Sequence, residues 1–257
     1  MIDFEQAVED FWQARQGGPF PVQWKDDLDK ETAHRICLAL IDRHAENGDP
    51  QAGWKVGLTA KAIREQVGAT SPTFAVLFAK GRWPSGISHP FKELTRPGWE
   101  NELCLTMGAT LEGPDISETE AAAAVATIAP ALEIIEQRLP EGQGTPPLSA
   151  ADNGQQRAFV VGDETPFDAA IHDLSKASVE VYADGAFQET AYGVEVMESS
   201  PIASIQWLAG QLSHFGLALE AGSAVMTGSF TKQYRFDGPV EIEARFKPFG
   251  TVTAKFV

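Results

Sequence analysis

The hydrophobic pattern changes period near residue 50. Residues 3–15 and 30–47 carry apolar side chains at helical spacing, and in the second stretch Ala33, Ile36, Cys37, Leu40, Ile41 and His44 share a face. Asp29 stands where it would cap the start of that helix, and Asn47-Gly48 where it would end. Beyond Pro50 the period becomes two. Trp54, Val56 and Leu58 alternate with Lys55, Gly57 and Thr59, and a similar alternation returns over residues 100–107. A helix is expected from Ser117, where Ser117-x-x-Glu120 forms a capping box before an alanine-rich run that ends near Pro130. Residues 131–138 then read as a strand. From Ala158 the chain is mostly strand and turn, with Asp184-Gly185 as a hairpin signal and one helix opened by Pro201 and closed by Gly216. At the end Val240, Ile242, Ala244 and Phe246 alternate with Glu241, Glu243 and Arg245, and Gly250 allows a turn into a last strand.

This pattern predicts an α+β fold with a mixed, sandwich-like or rolled sheet. A single domain over residues 1–257 is expected, with residues 1–50 as an N-terminal helical layer and 51–257 as a β-rich core, because the connection after Gly48 is too short for a linker. Charge then narrows the partners. Lys and Arg number 20 against 36 Asp and Glu, with no basic run, which argues against nucleic acid and anionic membranes. Cys37 and Cys104 lie far apart in apolar segments and read as buried thiols. No apolar run approaches membrane-spanning length and no basic-then-apolar leader opens the chain, so cytoplasmic residence is expected.

Three polar intrusions into apolar strands are the candidate chemistry. In Trp99-Glu100-Asn101-Glu102-Leu103, residues two apart project from the same face, about 6.5–7 Å apart, so Glu100 and Glu102 stand side by side. Such a pair serves equally well on a solvated strand face. Glu133 interrupts Ala131-Leu132-Glu133-Ile134-Ile135, and a buried carboxylate needs a positive partner. Arg138 is the candidate cation, as a structural partner or as a substrate contact; the other candidate is a metal ion. Three carboxylates suit a hard cation such as magnesium or manganese, and the lack of a His or Cys cluster argues against zinc. Lys55, between Trp54 and Val56, is either an edge lysine that reaches water or an acid–base group near a metal.

Five segments occur in the order and spacing of a known group. Gly53-x-Lys55-Val56-Gly57-Leu58-Thr59, Glu100-x-Glu102, Pro130-Ala131-Leu132-Glu133, Ala151-Asp152-Asn153 and Thr227-Gly228-Ser229-Phe230-Thr231 resemble the 2-keto-4-pentenoate hydratase family of the fumarylacetoacetate hydrolase superfamily. The resemblance implies the superfamily's mixed β-sandwich or roll and a homo-oligomer. It implies that Glu100, Glu102 and Glu133 are metal ligands for magnesium or manganese, and that Lys55 and Asp152 are active-site residues. Asn153, Thr227, Gly228, Ser229 and Arg138 are then expected to meet a small 2-oxo acid. The implied activity is a metal-dependent hydratase in the catabolism of aromatic compounds. A 4-oxalocrotonate-type decarboxylase, an acylpyruvate hydrolase or a non-catalytic metal-binding relative are the alternatives. His34 and His44 precede the Lys55 segment and read as helix-face residues, which favours a lyase over a hydrolase. Three positions depart from the family: Lys80 where an acid is usual, Gly98 in place of arginine after Pro97, and Gln155-Gln156-Arg157 where small residues are common. Lys80 in the pocket would bring positive charge to the distal end of the substrate and favour a 2-oxo dicarboxylate.

Overall fold

The computed structural model describes residues 2–257, leaving aside the side chains of residues 62, 63 and 66. Both N-terminal helices form where the apolar spacing puts them, α1 over Phe4–Arg15 and α2 over Lys30–Glu46. Each starts at an aspartate whose carboxylate accepts from an amide three residues on, Asp3 from Gln6 at 3.2 Å and Asp29 from Thr32 at 2.7 Å. An otherwise unpartnered helical N–H is satisfied at each start. Four shorter helices follow: α3 (Lys61–Val67), α4 (Glu118–Ala123), α5 (Pro146–Ala151) and α6 (Pro201–His214). Phe11 of α1 and Ile36 and Leu40 of α2 pack with Leu148 and Ala151 of α5. The helical layer therefore recruits an element from far along the chain and is not confined to the first 50 residues.

Two sheets follow from the period-two segments. The larger contains β1 (Gln51–Gly57), β2 (Thr73–Phe78), β3 (Arg82–Pro84), β5 (Pro97–Met107), β6 (Val125–Glu136), β7 (Gln156–Val161), β8 (Thr165–Pro166), β11 (Ala224–Met226) and β12 (Tyr234–Arg235). The smaller contains β4 (Ile87–His89), β9 (Ser178–Ala183), β10 (Ala186–Tyr192), β13 (Val240–Lys247) and β14 (Gly250–Phe256). The main path of the larger sheet runs β2-β1-β11-β5-β6-β7-β3, with β12 beside β5 and β8 beside β6. Alternation divides its side chains between two faces. Trp54, Val56, Leu103, Leu132 and Val160 pack toward Val181, Ile242, Phe246 and Val252 of the smaller sheet and toward Ile205 and Leu208 of α6. The opposite face carries a separate apolar cluster, Leu77, Cys104, Ala129, Ala131, Phe159, Ala224 and Met226. Lys55, Glu100, Glu102 and Glu133 share that second face.

The path curls toward closure where β2 meets β7. Asn153 bridges the gap: its Nδ2 donates to Val76 O at 2.8 Å, and Val76 N donates to its Oδ1 at 2.7 Å, so the side chain serves one residue of β2 as a neighbouring strand would. The turns follow the sequence. Asp184 and Gly185 both take positive φ between β9 and β10, and α6 ends before Gly216, also at positive φ. Among the described residues no helix is long and apolar enough to cross a membrane.

One element departs from expectation. The capping box at Ser117 and Glu120 forms, yet the helix ends at Ala123, and the residues up to Pro130 extend the strand expected from 131. The reason is tertiary. Val125, Thr127 and Ile128 are stiff β-branched residues, and they pair along β5 opposite Met107, Thr106 and Leu105.

Both helix-face histidines are structural. His34 is buried, with Nδ1 2.9 Å from Lys30 O and Nε2 2.9 Å from Thr73 Oγ1. A carbonyl only accepts, so Nδ1 carries the proton and Nε2 accepts from the threonine. The ring stacks on Phe74 at 4.3 Å, as His44 stacks on Phe78 at 3.7 Å. Burial pushes both imidazoles down to about 4. Below the ordinary value near 6.5 the unfolded chain takes up protons that the native one refuses. The stability these residues contribute is therefore complete above pH ~6.5 and lost as pH falls toward about 4. Urea midpoints measured across that window should fall with pH, and His34→Gln should make the fall shallower while lowering the midpoint at pH 7.5.

Candidate metal centre

The two longest strands bring the three glutamates together. β5 and β6 are antiparallel, with Glu100 opposite Glu133 and Glu102 opposite Ala131. Directly opposed and alternate residues share a face, and one carboxylate oxygen from each glutamate lies within 4.8 Å of the others. Glu102 and Glu133 are buried, while Glu100 is partly open. Their surroundings offset the mutual repulsion only in part. Gln233 Nε2 donates to Glu100 Oε1 at 2.7 Å, and Gly228 N donates to Glu102 Oε2 at 2.8 Å. Lys55 Nζ stands 2.9 Å from Glu133 Oε1, an ion pair out of line for a hydrogen bond. Glu102 Oε1 and Glu133 Oε1 are left as buried oxygens without a hydrogen-bond donor.

The titration of the cluster reflects this shortage of positive charge. Burial, then Glu133 and Glu100, hold the Glu102 carboxyl well above the usual carboxylate range. Burial, reinforced by Glu100 and opposed by Lys55, pushes Glu133 up to about 7. For Lys55 burial works downward, but Glu133, Glu100 and Glu102 outweigh it and hold the ammonium above its ordinary value. Three carboxylates, with Glu102 Oε1 unpartnered and Glu133 Oε1 met only by the Lys55 ammonium, fit a small divalent cation, which would supply the missing charge and hold Glu100, Glu102 and Glu133 in one coordination sphere.

Lys55 is aimed by the segment after α5. Asn153, Gly154 and Gln155 all adopt left-handed φ, of 56°, 59° and 62°. Two of the three are not glycine, a backbone cost that persists only where contacts over-determine it. The turn presents Gly154 O to Lys55 Nζ at 2.9 Å. A Cβ on Gly154 would lie 2.7 Å from Lys55 Cε. Asp152 is wholly buried just before the turn, with both carboxylate oxygens accepting from Arg138 Nε at 3.2 Å, and Arg15 Nη1 stands 4.0 Å from its Oδ1 as a looser ion pair. Burial raises the Asp152 pKa, and the two arginines oppose the rise. Cys37 Sγ donates to Asn153 Oδ1 at 3.2 Å from below.

Several expected contacts change in kind. Arg138 does not pair with Glu133: it lies past the end of β6, turned to Asp152 and to Glu136 at 3.2 Å. Lys55 is the cation that meets Glu133. Lys80 does not project into the cluster. It is exposed in a short helical turn after β2, where its amide donates to Asp49 Oδ1 at 2.8 Å and its Nζ to Asn47 O at 3.0 Å. The lysine thus satisfies a carbonyl at the C-terminus of α2, a favourable place for a cation. Thr227 commits its hydroxyl to Leu103 O at 2.9 Å, and Gly228 commits its amide to Glu102, which leaves Ser229 the most open of that trio. Gln233 was not foreseen, because a lone glutamine in a loop carries no sequence signal; only the pairing of β12 with β5 brings it to Glu100. Two surface hollows, of about 480 and 790 Å³, lie against Phe91 and Arg235 and against Leu38 and Trp54; the three glutamates line neither.

No family model matches the chain. It is 29% identical over 193 residues to a 2-hydroxypent-2,4-dienoate hydratase of Pseudomonas putida, covering 75% of this chain and 86% of that protein. It is 26% identical over 255 residues to a 2-keto-4-pentenoate hydratase of Paraburkholderia xenovorans, covering 98% and 94%. Over most of its length the chain is similar to 2-keto-4-pentenoate hydratases and related dienoate hydratases. The fold of this hydratase relative also superposes on 4-oxalocrotonate decarboxylase from Pseudomonas putida G7, complexed with magnesium and adipate. There the TM-score is 0.93 at 24% identity, over 100% of this chain and 99% of that one.

The Lys55 clamp is testable without touching a charged group. Gly154→Ala should displace the ammonium and lower turnover on the order of 100-fold, the scale of a misplaced reacting group. Circular dichroism should still report a folded protein.

Proposed function

We propose that the chain is a divalent-metal-dependent hydro-lyase that adds water to a small 2-hydroxy-2,4-dienoic acid, the enol form of a 2-oxo acid, in the breakdown of aromatic compounds. The observation that carries this reading is the buried Lys55 ammonium, 2.9 Å from both Glu133 Oε1 and Gly154 O, beside three converging carboxylates. A magnesium or manganese ion bound by Glu100, Glu102 and Glu133 would stabilise the negative charge that develops on the C2 oxygen of an enolate-like substrate.

The chain's own residues then divide the remaining work. Lys55 is the proton carrier: its three N–H bonds reach inward from β1, and neutralising the carboxylates would leave burial to bring its pKa down toward a useful range. In the hydration, a proton is delivered to C5 of the dienol as the C2 hydroxyl loses its own, and water then adds across C3 and C4. Asp152 and Asn153 act as positioning residues in this scheme, since their polar atoms are taken up by Arg138 and by the Val76 backbone. Ser229 is the member of the Thr227–Ser229 turn proposed to meet the substrate carboxylate. The apolar cluster of Cys104, Ala129, Phe159 and Met226 behind the carboxylates keeps that side dry, which strengthens every charge interaction at the centre. A homo-oligomer and cytoplasmic residence belong to the same proposal, and light scattering tests the first.

Magnesium or manganese should raise the melting temperature by binding the folded state, and chelation should reverse the rise. Glu102→Gln should weaken the response. Loss of diene absorbance on incubation with 2-hydroxypenta-2,4-dienoate should follow the metal, and Glu133→Ala should abolish it while circular dichroism stays native-like. An unchanged melting temperature across saturating metal, in wild type and Glu102→Gln alike, removes the site.

A further inference from the structure

The face that carries the glutamates continues one row beyond them. β12 runs antiparallel to β5 with Tyr234 opposite Trp99 and Arg235 opposite Gly98, and opposed residues project to the same side. Tyr234 stacks on Trp99 at 4.8 Å and 11° on the core side. Arg235 therefore lies on the side of Glu100, as Gln233, two residues before it, shows by reaching the Glu100 carboxylate. Gly98 makes room for this. A Cβ there would lie 2.5 Å from Tyr234 O and 3.4 Å from Arg235 Cδ, so the arginine's stem crosses the strand where a side chain would otherwise stand. Ile135 is opposite Gly98 on β6. Arg235, Gly98 and Ile135 thus form the next row outward from Glu100 and Glu133, one strand repeat of about 6.5–7 Å away.

In the other direction the face is closed, because Cys104, Ala131 and Met226 are buried and in contact. A ligand whose head meets the glutamates must extend outward. Most cations around the centre are already engaged: Lys55 with Glu133 and Gly154, Arg138 with Asp152 and Glu136, Arg157 with Glu136, and Arg96 with Gln137 O and Leu139 O. Arg235 makes a single hydrogen bond, Nη1 to Arg96 O at 3.3 Å, and among the described residues it has no ion-pair partner. Its remaining guanidinium N–H groups form the planar fork that reads a carboxylate.

We propose that Arg235, passing over Gly98, is the specificity-determining residue for the far end of the substrate, and that the preferred substrate is a 2-oxo dicarboxylate of about six carbons. The inference rests on the reading that a metal-held 2-oxo acid head occupies the glutamate cluster. The charge assigned from sequence to Lys80 is supplied from another element. The guanidinium donates to the distal carboxylate while Ile135 flanks the connecting carbons.

Calorimetry on magnesium-loaded protein separates head from tail with three ligands: oxalate, 2-oxohexanoate and 2-oxoadipate. Wild type should bind 2-oxoadipate on the order of tenfold or more tighter than 2-oxohexanoate, the scale of a charge-assisted contact. Arg235→Met should bring the two within about twofold and leave oxalate binding in place, and Arg235→Lys should retain part of the preference. Equal affinities in wild type, or a preference that survives Arg235→Met, overturn the assignment of Arg235 while oxalate binding upholds the head site. Failure of oxalate to bind in the presence of magnesium overturns the head site, and this assignment with it.

Discussion

Three carboxylates held on one face of a buried ladder repel one another, and the rest of the site is arranged around that repulsion. A lysine, a backbone amide and a glutamine side chain each meet one of the glutamates, and none supplies enough positive charge to satisfy all six oxygens. Of the buried oxygens, Glu102 Oε1 remains unpartnered and Glu133 Oε1 is met only by the Lys55 ion pair. Native interiors tolerate such atoms where function requires them, and here they mark where a dication would meet uncompensated negative charge. The raised titration of Glu102 and Glu133 expresses the same imbalance. A carboxylate that prefers to be neutral in isolation is a good ligand only when an ion repays its desolvation.

The lysine that shares this face is held at one remove. Its partner carbonyl comes from a left-handed turn, and that turn is braced from three sides: Asn153 is bonded to β2, Asp152 is clamped by Arg138, and Arg15 approaches from the end of α1. The N-terminal helices are therefore part of the machinery that aims Lys55. They pack on α5, and α5 leads directly into the turn.

Much of this was legible in the sequence because the signals were local. An acid at every second position of a strand, or a lone acid or lysine among apolar neighbours, is visible without a fold, and the side chains of Glu100, Glu102, Glu133 and Lys55 lie together in the structure. The failures share a cause. The alanine-rich run after Ser117 has helical propensity, but the partner strand opposite Val125, Thr127 and Ile128 decided its conformation. Lys80 sits where a motif would put an active-site group, yet the turn after β2 hands it to the end of α2. Arg138 is near Glu133 in sequence but lies beyond the strand's end, where Asp152 is within reach. Gln233 and Arg235 reach the site only through the pairing of β12 with β5, which no local pattern announces. Propensity and spacing speak for neighbours along the chain; long-range pairing has to be seen.

The register of β5 against β6 has an evolutionary consequence. All three glutamates come from one antiparallel ladder, and in a ladder a shift by a single residue turns every side chain to the other face. An insertion or deletion within either strand would break the cluster, so a lineage that keeps it must keep the register of both strands. The flanking segments carry no such restriction. If Arg235 reads the far end of the substrate as proposed, a change of reaction partner would need only one side chain on a two-residue strand to be exchanged, and descendants of such a scaffold would diverge in what they consume while inheriting an unchanged way of holding it.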